Sequence, residues 1–440
     1  MSRPGGSCRA GPLASNLVTV SALRPLRSRN FALVWSAALV SNVGSWMQTV
    51  ALGVVVTART HDPLWTGLVA AAAFVPLGLL SPLGGAVADR VDRRRWLLLT
   101  TMGEAGCAAA LAVLAAGHAA PVWMVLMALV GGACTAVGLP AYQAMLPDLV
   151  PRQDLLAAVS LSSAQFNLGR VVGPALAGVV LVAGSAAWAF AVNAVSFGAV
   201  VVALLILRLP PPAESADSSG VLSRTLSGAR LAWAEPGCRS AIGLIAVVAL
   251  IGSPFIALVP AVAIEGLHRG AAGTSVLVTA QGVGAVAGAL ALASMARVLG
   301  RRRLLVRALL AFPAALVLYG WASSLVPATL AIVAVGATYI GVLSGLNTVV
   351  QLRAPAGARA RVLGLYMMAL GTIYPVGAIA EGALARAIGI RPVTVFSGVL
   401  LLALMVAVVR LRPGAVQALD DPEAAVEVVT EVPTAAPAGP

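Results

Sequence analysis

Few residues in this 440-residue chain are of a type and placement that could do chemistry, and none of them cluster. Glu104, Arg170 and Glu381 lie inside long apolar stretches, where a charge costs at least about 2.5 to 3.5 kcal/mol at the centre of a membrane-crossing helix. Charges retained at that cost usually face a cavity, where they carry protons or meet a polar ligand. A carboxylate there can take up and release a proton, and its hold on one depends on burial and on a neighbouring arginine. Glu104 and Arg170 are therefore a candidate proton-sensitive pair, with Glu381 a weaker candidate near the outer end of its span. Asn167 joins them as a cavity candidate because Ser163, Asn167, Arg170 and Pro174 recur three or four residues apart, along one helix face.

Enzymatic chemistry is not expected. His61, His118 and His268 fall on three separate segments, and Cys8, Cys107, Cys134 and Cys238 have neither metal-ligand spacing nor a disulfide framework. All 29 basic residues are arginines, so the lysine of a G-x-x-x-x-G-K-[ST] phosphate loop is missing, which argues against a built-in ATPase. No cofactor and no metal is implied.

The elements that must position these residues follow from composition. Hydrophobic residues make up 60% of the chain and charged ones 10%, with a mean hydropathy of +0.95. Soluble domains carry roughly 25% charge, so a soluble enzyme is ruled out. The net charge of +13 does not point to nucleic acid, because the arginines stand in short runs between apolar stretches rather than on one solvated face.

A helix crossing about 30 Å of hydrocarbon needs roughly 20 apolar residues. Twelve stretches qualify, six between Phe31 and Leu207 and six between Ser240 and Val409. An even number puts both termini on one side. With that side cytoplasmic, 23 arginines are inside and only Arg59, Arg269, Arg386 and Arg391 outside, as the positive-inside rule requires. The expected organisation is an N-terminal cytoplasmic segment (1–30) with no apolar core of a cleavable signal, and a six-helix bundle (31–207). A polar, Pro- and Ser-bearing linker (208–239), a second six-helix bundle (240–411) and a disordered acidic tail (412–440) follow. Val221, Leu222, Leu226, Ala229 and Trp233 suggest a short surface helix within the linker.

The halves echo one another. Arg93–Arg95 follow the second span and Arg301–Arg303 the eighth, and such internal symmetry places a substrate path between the halves. The first of these loops reads Gly85, then Asp89, Arg90, Asp92, Arg93 and Arg94, and it resembles the G-x-x-x-D-R/K-x-G-R-R/K loop of the major facilitator superfamily, with Asp92 in place of the second glycine. The resemblance implies that Asp89, Arg90, Arg93 and Arg94 latch the two halves on the cytoplasmic side. Arg297 stands opposite Asp89 in the second half, which makes the latch one-sided.

Span five carries Gly169, Gly173, Pro174 and Gly178, similar to the antiporter motif G-x-x-x-G-P-x-x-G-G of drug:proton exporters, with Ala177 departing from it. Together with "SNVGSWMQTVAL", "LPDLVP" and "RARVLGLY", the chain resembles the enterobactin-exporter-like, transmembrane secretion effector branch of that superfamily over Phe31 to Leu411. Where that branch often has an acid, this chain has Ser45. The resemblance implies an all-α polytopic membrane protein with twelve helices in two pseudo-symmetric bundles. It further implies efflux of a small amphipathic molecule in exchange for protons across a bacterial inner membrane. An uptake permease and a non-transporting membrane scaffold are the alternatives; its partners are a small-molecule substrate, protons and lipid, not nucleic acid.

Overall fold

The computed structural model describes residues 23–88, 91–207, 229–355 and 359–420. Among them, twelve helices are long and apolar enough to cross a membrane. They are α1 (Arg29–Thr60), α2 (Pro63–Ala88), α3 (Arg93–Ala116), α4 (Pro121–Met145), α5 (Leu155–Ala183), α6 (Ala186–Ile206), α7 (Pro236–Gly266), α8 (Gly270–Leu299), α9 (Arg301–Trp321), α10 (Leu325–Arg353), α11 (Arg359–Ile388) and α12 (Ile390–Leu411). Six of them precede residue 208 and six follow residue 235. Several helices run past the expected apolar limits, because a helix continues through polar residues once its apolar core holds it in place.

Local chemistry sets the ends. Asp92, the residue that departs from the family loop, is the N-cap of α3 and accepts from the Arg95 backbone N–H at 2.8 Å. Glu235 caps α7 in the same way through the Cys238 N–H. Span α7 is not a uniform helix: its hydrogen bonding widens to the π pattern at Val248–Gly252 and again at Val262–Gly266. Pro254 and Pro260 lack N–H donors, and the first widened turn sends the Ser253 N–H to the Val248 carbonyl at 2.8 Å. Such bulges occur often at functional sites.

Within the first half α1 packs on α5 and α6, α2 on α4, and α3 on α4 and α6. In the second, α8 packs on α10 and α9 on α10 and α12. The halves meet along two antiparallel seams, α2 against α11 and α5 against α8. One end of the molecule bears the start of α1 and the finish of α12 and is called here the terminal end; the other is the distal end.

One expectation needs correction. The tail does not begin as a disordered segment: residues 413–420 form a short helix, α13 (Pro413–Gln417), followed by Leu419, which is buried. Asp420 pairs with Arg302 at 2.9 Å, and its carbonyl accepts from the Arg353 Nε at 3.0 Å. The rest of the tail, residues 1–22 and most of the expected surface helix through Val221, Leu222 and Leu226 lie outside the described residues.

Candidate transport site

Helix-face patterns show where the inter-half space opens. On α5, Val159, Ser163, Phe166, Arg170, Pro174 and Ala177 share one face by their three- and four-residue spacing. The first three are exposed, Arg170 is half-buried, and the last two are buried. On α11 the face of Tyr374 behaves likewise: Met367, towards the terminal end, is exposed, while Ala378 and Ala385, towards the distal end, are buried. On α4, Met124 and Ala128 are buried but Thr135 and Leu139, further along the same face, are exposed. A lipid-facing stripe would be exposed along its whole length. These change midway, so they line a cleft that opens at the terminal end and is shut at the distal end.

Glycines allow the distal closure. A Cβ at Gly67 of α2 would lie 2.3 Å from the Ala378 carbonyl oxygen of α11, and one at Gly382 of α11 would lie 2.8 Å from the Pro63 carbonyl oxygen, so these backbones touch as small-residue seams do. Two ionic contacts cross at the same end: Asp62 with Arg386, and His61 Nδ1 with Glu265 at 3.1 Å, a full ion pair when His61 is protonated. Arg386 holds the Asp62 carboxyl below the ordinary aspartate range, helped by the Leu64 backbone N–H and opposed by partial burial.

At the floor of the cleft, about 22 Å along α5, the Arg170 guanidinium lies 5.5 Å from the centre of the Trp46 ring on α1. Phe166 meets Trp46 edge-on at 5.8 Å. From the second half, Tyr339 of α10 and Tyr374 of α11 stand within electrostatic reach of Arg170. Tyr374 packs edge-on against Phe74 of α2 at 5.4 Å, and Tyr339 rests on Phe255 and Phe312 with its hydroxyl 2.9 Å from Ser253 Oγ. Ser253 directly follows the π turn of α7. The floor of the cleft thus brings Arg170 and Trp46 of the first half near the aromatic residues of the second.

The structure does not bring Glu104 and Arg170 together. Glu104 lies on the buried face of α3 and accepts from Thr135 of α4, while Arg170 points towards α1 and the second half. Glu381 accepts from Ser397 of α12 at 2.7 Å, and Asn167 bonds back to the Ser163 carbonyl on its own helix at 2.8 Å. No group of three or more His, Cys, Asp or Glu able to hold a metal occurs among the described residues.

The loop arginines have partners within the first half. Arg93 reaches Asp148 at 3.4 Å and the Ala144 carbonyl at 3.2 Å, while Arg94 donates to the Leu204 and Leu205 carbonyls at the end of α6. Asp89 and Arg90 lie outside the described residues; Gly85 is within α2, near Pro140 of α4. The antiporter-type motif divides its work. Gly169 packs on the backbone of Asn42, Gly173 on Val43, Trp46 and Met47 of α1, and Gly178 on Ser275 of α8, across the seam. Pro174 is buried within α5. The sequence alone did not reveal the two distal ionic contacts or the Asp148 partner; only the position of acids beside arginines in the loops hinted at them.

Comparison with known proteins agrees with this architecture. The model of the transmembrane secretion effector family matches residues 20–433, and the chain belongs to this family of major facilitator superfamily transporters. It is therefore a multi-pass membrane transport protein and not an enzyme. It is 29% identical over 372 residues, 82% of its own length and 90% of the relative's, to the multidrug efflux pump Tap of Mycolicibacterium fortuitum. Over 267 residues, 59% of this chain and 62% of the relative, it is 31% identical to the enterobactin exporter EntS of Citrobacter koseri. A variant of the nucleoside transporter NupG superposes with a TM-score of 0.71 at 14% identity, over 86% of this chain and 99% of that one. A bacterial homolog of the lysosomal transporter Spinster gives 0.69 at 16%, over 90% and 98%. At those identities the likeness shows the fold.

Proposed function

We propose that the protein exports a small amphipathic molecule across a bacterial inner membrane in exchange for protons, by alternating access, with both termini cytoplasmic. The observation that carries this reading is the cleft itself: a site built from both halves at mid-depth, shut at one end and open at the other. Moving the opening to the distal end requires only that the distal contacts part and the terminal ends close. The arginine bias puts the open mouth on the cytoplasmic side, where an exporter loads, and the efflux relatives favour that direction over uptake.

Protons would enter through one carboxylate held in the spans, Glu104 rather than Glu381, which is bonded to Ser397 of α12. Glu104 has a single hydroxyl partner, Thr135, which is exposed at the cleft's terminal half, and this gives it a path to the cytoplasmic mouth. Glu381 sits nearer the distal end. The loop residues Gly85, Asp89, Arg90, Arg93 and Arg94 would hold the first half's cytoplasmic face and latch it in the outward-open state. Arg93 and Arg94 already tie the loop to α4 and α6.

Everted vesicles test the reading directly. With an imposed inward-acid gradient, they should accumulate lipophilic dyes and antibiotics in a gradient-dependent way, abolished by a protonophore. Accumulation that ignores the gradient would remove proton coupling, and absence of movement in either direction would favour a non-transporting scaffold.

A further inference from the structure

The cation at the floor of the cleft has no anion. Among the described residues, Arg170 forms no ion pair and no hydrogen bond; its one close partner is the face of Trp46, at 5.5 Å. The carboxylates in neighbouring spans are committed elsewhere, Glu104 to Thr135 and Glu381 to Ser397. The Tyr339 hydroxyl is engaged by Ser253. An arginine at mid-membrane without a counter-charge is costly, and such residues mark ligand pathways. Its planar fork of donors matches a carboxylate, sulfonate or similar oxyanion in a bidentate manner.

The surroundings add a second requirement. Phe166 and Trp46 from the first half meet edge-on, as do Phe74 and Tyr374 across the seam. Phe166 is exposed at the mouth side of Arg170, one helical turn away on the same face of α5. A ligand entering from the terminal end therefore passes an exposed ring before it reaches the guanidinium. An edge-on pair leaves ring faces and edges free for a third ring packed beside it.

We propose that the site selects an organic anion whose oxyanion group is carried on an aromatic ring, with Arg170 taking the charge and Phe166 and Trp46 the ring. This rests on the cleft being the transport site, and it narrows the amphipathic substrate to an anionic class. Arg170 is then a binding residue, and Trp46 both shields it while the site is empty and stacks on the ligand when it is filled.

The test uses the purified full-length protein and two matched probes, naphthalene-2-sulfonate and the uncharged naphthalene-2-sulfonamide, with binding measured by titration calorimetry. The sulfonate should bind at least about tenfold more tightly, the discrimination expected of a charged hydrogen bond. Arg170→Gln should erase that preference with little change in sulfonamide affinity, Arg170→Lys should keep part of it, and Trp46→Leu should weaken both probes. Equal affinity for the two probes in the wild-type protein, or a preference that survives Arg170→Gln, overturns the inference. The everted-vesicle assay separates the two readings: gradient-driven accumulation with no sulfonate preference leaves the exporter standing and removes the anion site. A sulfonate preference without any transport keeps the anion site and removes the exporter.

Discussion

Asp62, in the turn between α1 and α2, is ion-paired with Arg386 in the last turn of α11, and the pair ties the two halves together at the distal end. Under the proposed alternating access, this contact must break in every cycle. A pair this near the surface is weak, which suits a contact made and broken repeatedly.

Its removal should therefore tilt the balance between states without unfolding the protein. Asp62→Asn or Arg386→Ala should raise the distal-open population about twofold to fivefold, and the exchanged pair Asp62→Arg with Arg386→Asp should restore it. Spin labels at His118 and His268, one on each half, report the distance. An unchanged distribution in both single variants would show that the glycine seams alone hold the end shut.

The pair also has a defined pH dependence. Arg386 holds the Asp62 carboxyl below its ordinary range, so the pair's contribution is fully present above that range and is lost as pH falls through the lowered value. Across pH 6 to 8 the Asp62 contribution is flat. Label distances at the distal end should therefore change only as pH falls below the ordinary carboxylate range, and that change should be absent in Asp62→Asn. An acid-induced change of equal size in Asp62→Asn would place the response elsewhere.

Two glycines of the same motif should behave differently when enlarged. Gly173 faces the backbone of α1, where a Cβ would lie 2.7 Å from the Val43 carbonyl oxygen, so Gly173→Val strains the first half and should lower the melting temperature. Gly178 faces Ser275 across the seam, where a Cβ would lie 2.7 Å from the Ser275 Cβ. Gly178→Val should cost about 1 to 3 kcal/mol in the distal-closed state alone. It should open the distal end in label distances and leave the melting temperature near wild type. Equal melting losses in both variants would mean that Gly178 is ordinary core.

How much of this was legible in the sequence depends on rotation and depth. Hydropathy placed the twelve spans because length and apolarity are properties of the chain itself. Spacing put Arg170 and Phe166 on one face of α5, but which neighbour that face meets is set by packing. The expected Glu104 and Arg170 pairing failed for this reason: α3 turns Glu104 towards α4, whereas α5 turns Arg170 towards α1 and the second half. Asp92 read as a departure from a glycine pattern and proved to be a helix cap. Asp62 and Arg386 lie 324 positions apart, and nothing local marks them as partners.

Glu104 remains the candidate for coupling, with its partner reassigned. Glutamine at this position keeps a carbonyl to accept from Thr135 but carries no exchangeable carboxyl proton. Glu104→Gln should fold with an unchanged melting temperature and bind substrate, yet lose gradient-driven accumulation in vesicles; Glu381→Gln, bonded to Ser397 near the shut end, should keep it. Full coupling in Glu104→Gln would remove that residue from the proton path.

The ordered start of the tail carries the last prediction. The aligned loop of the second half has Arg297 where the first has an acid, and Asp420 of the tail supplies a carboxylate to Arg302 of the second arginine run. Leu419 beside it is buried in the apolar core of the second half, which includes Leu305 and Val349. Burying a leucine side chain is worth about 1.5 to 3 kcal/mol, much more than an exposed ion pair. Truncation after Arg412 should therefore lower the melting temperature of the full-length protein clearly, Leu419→Ala should reproduce most of the loss, and Asp420→Asn little of it. If Asp420→Asn matched the truncation, the charge contact rather than the leucine would be what secures the tail, and the second half would depend on a borrowed acid as the first depends on Asp148.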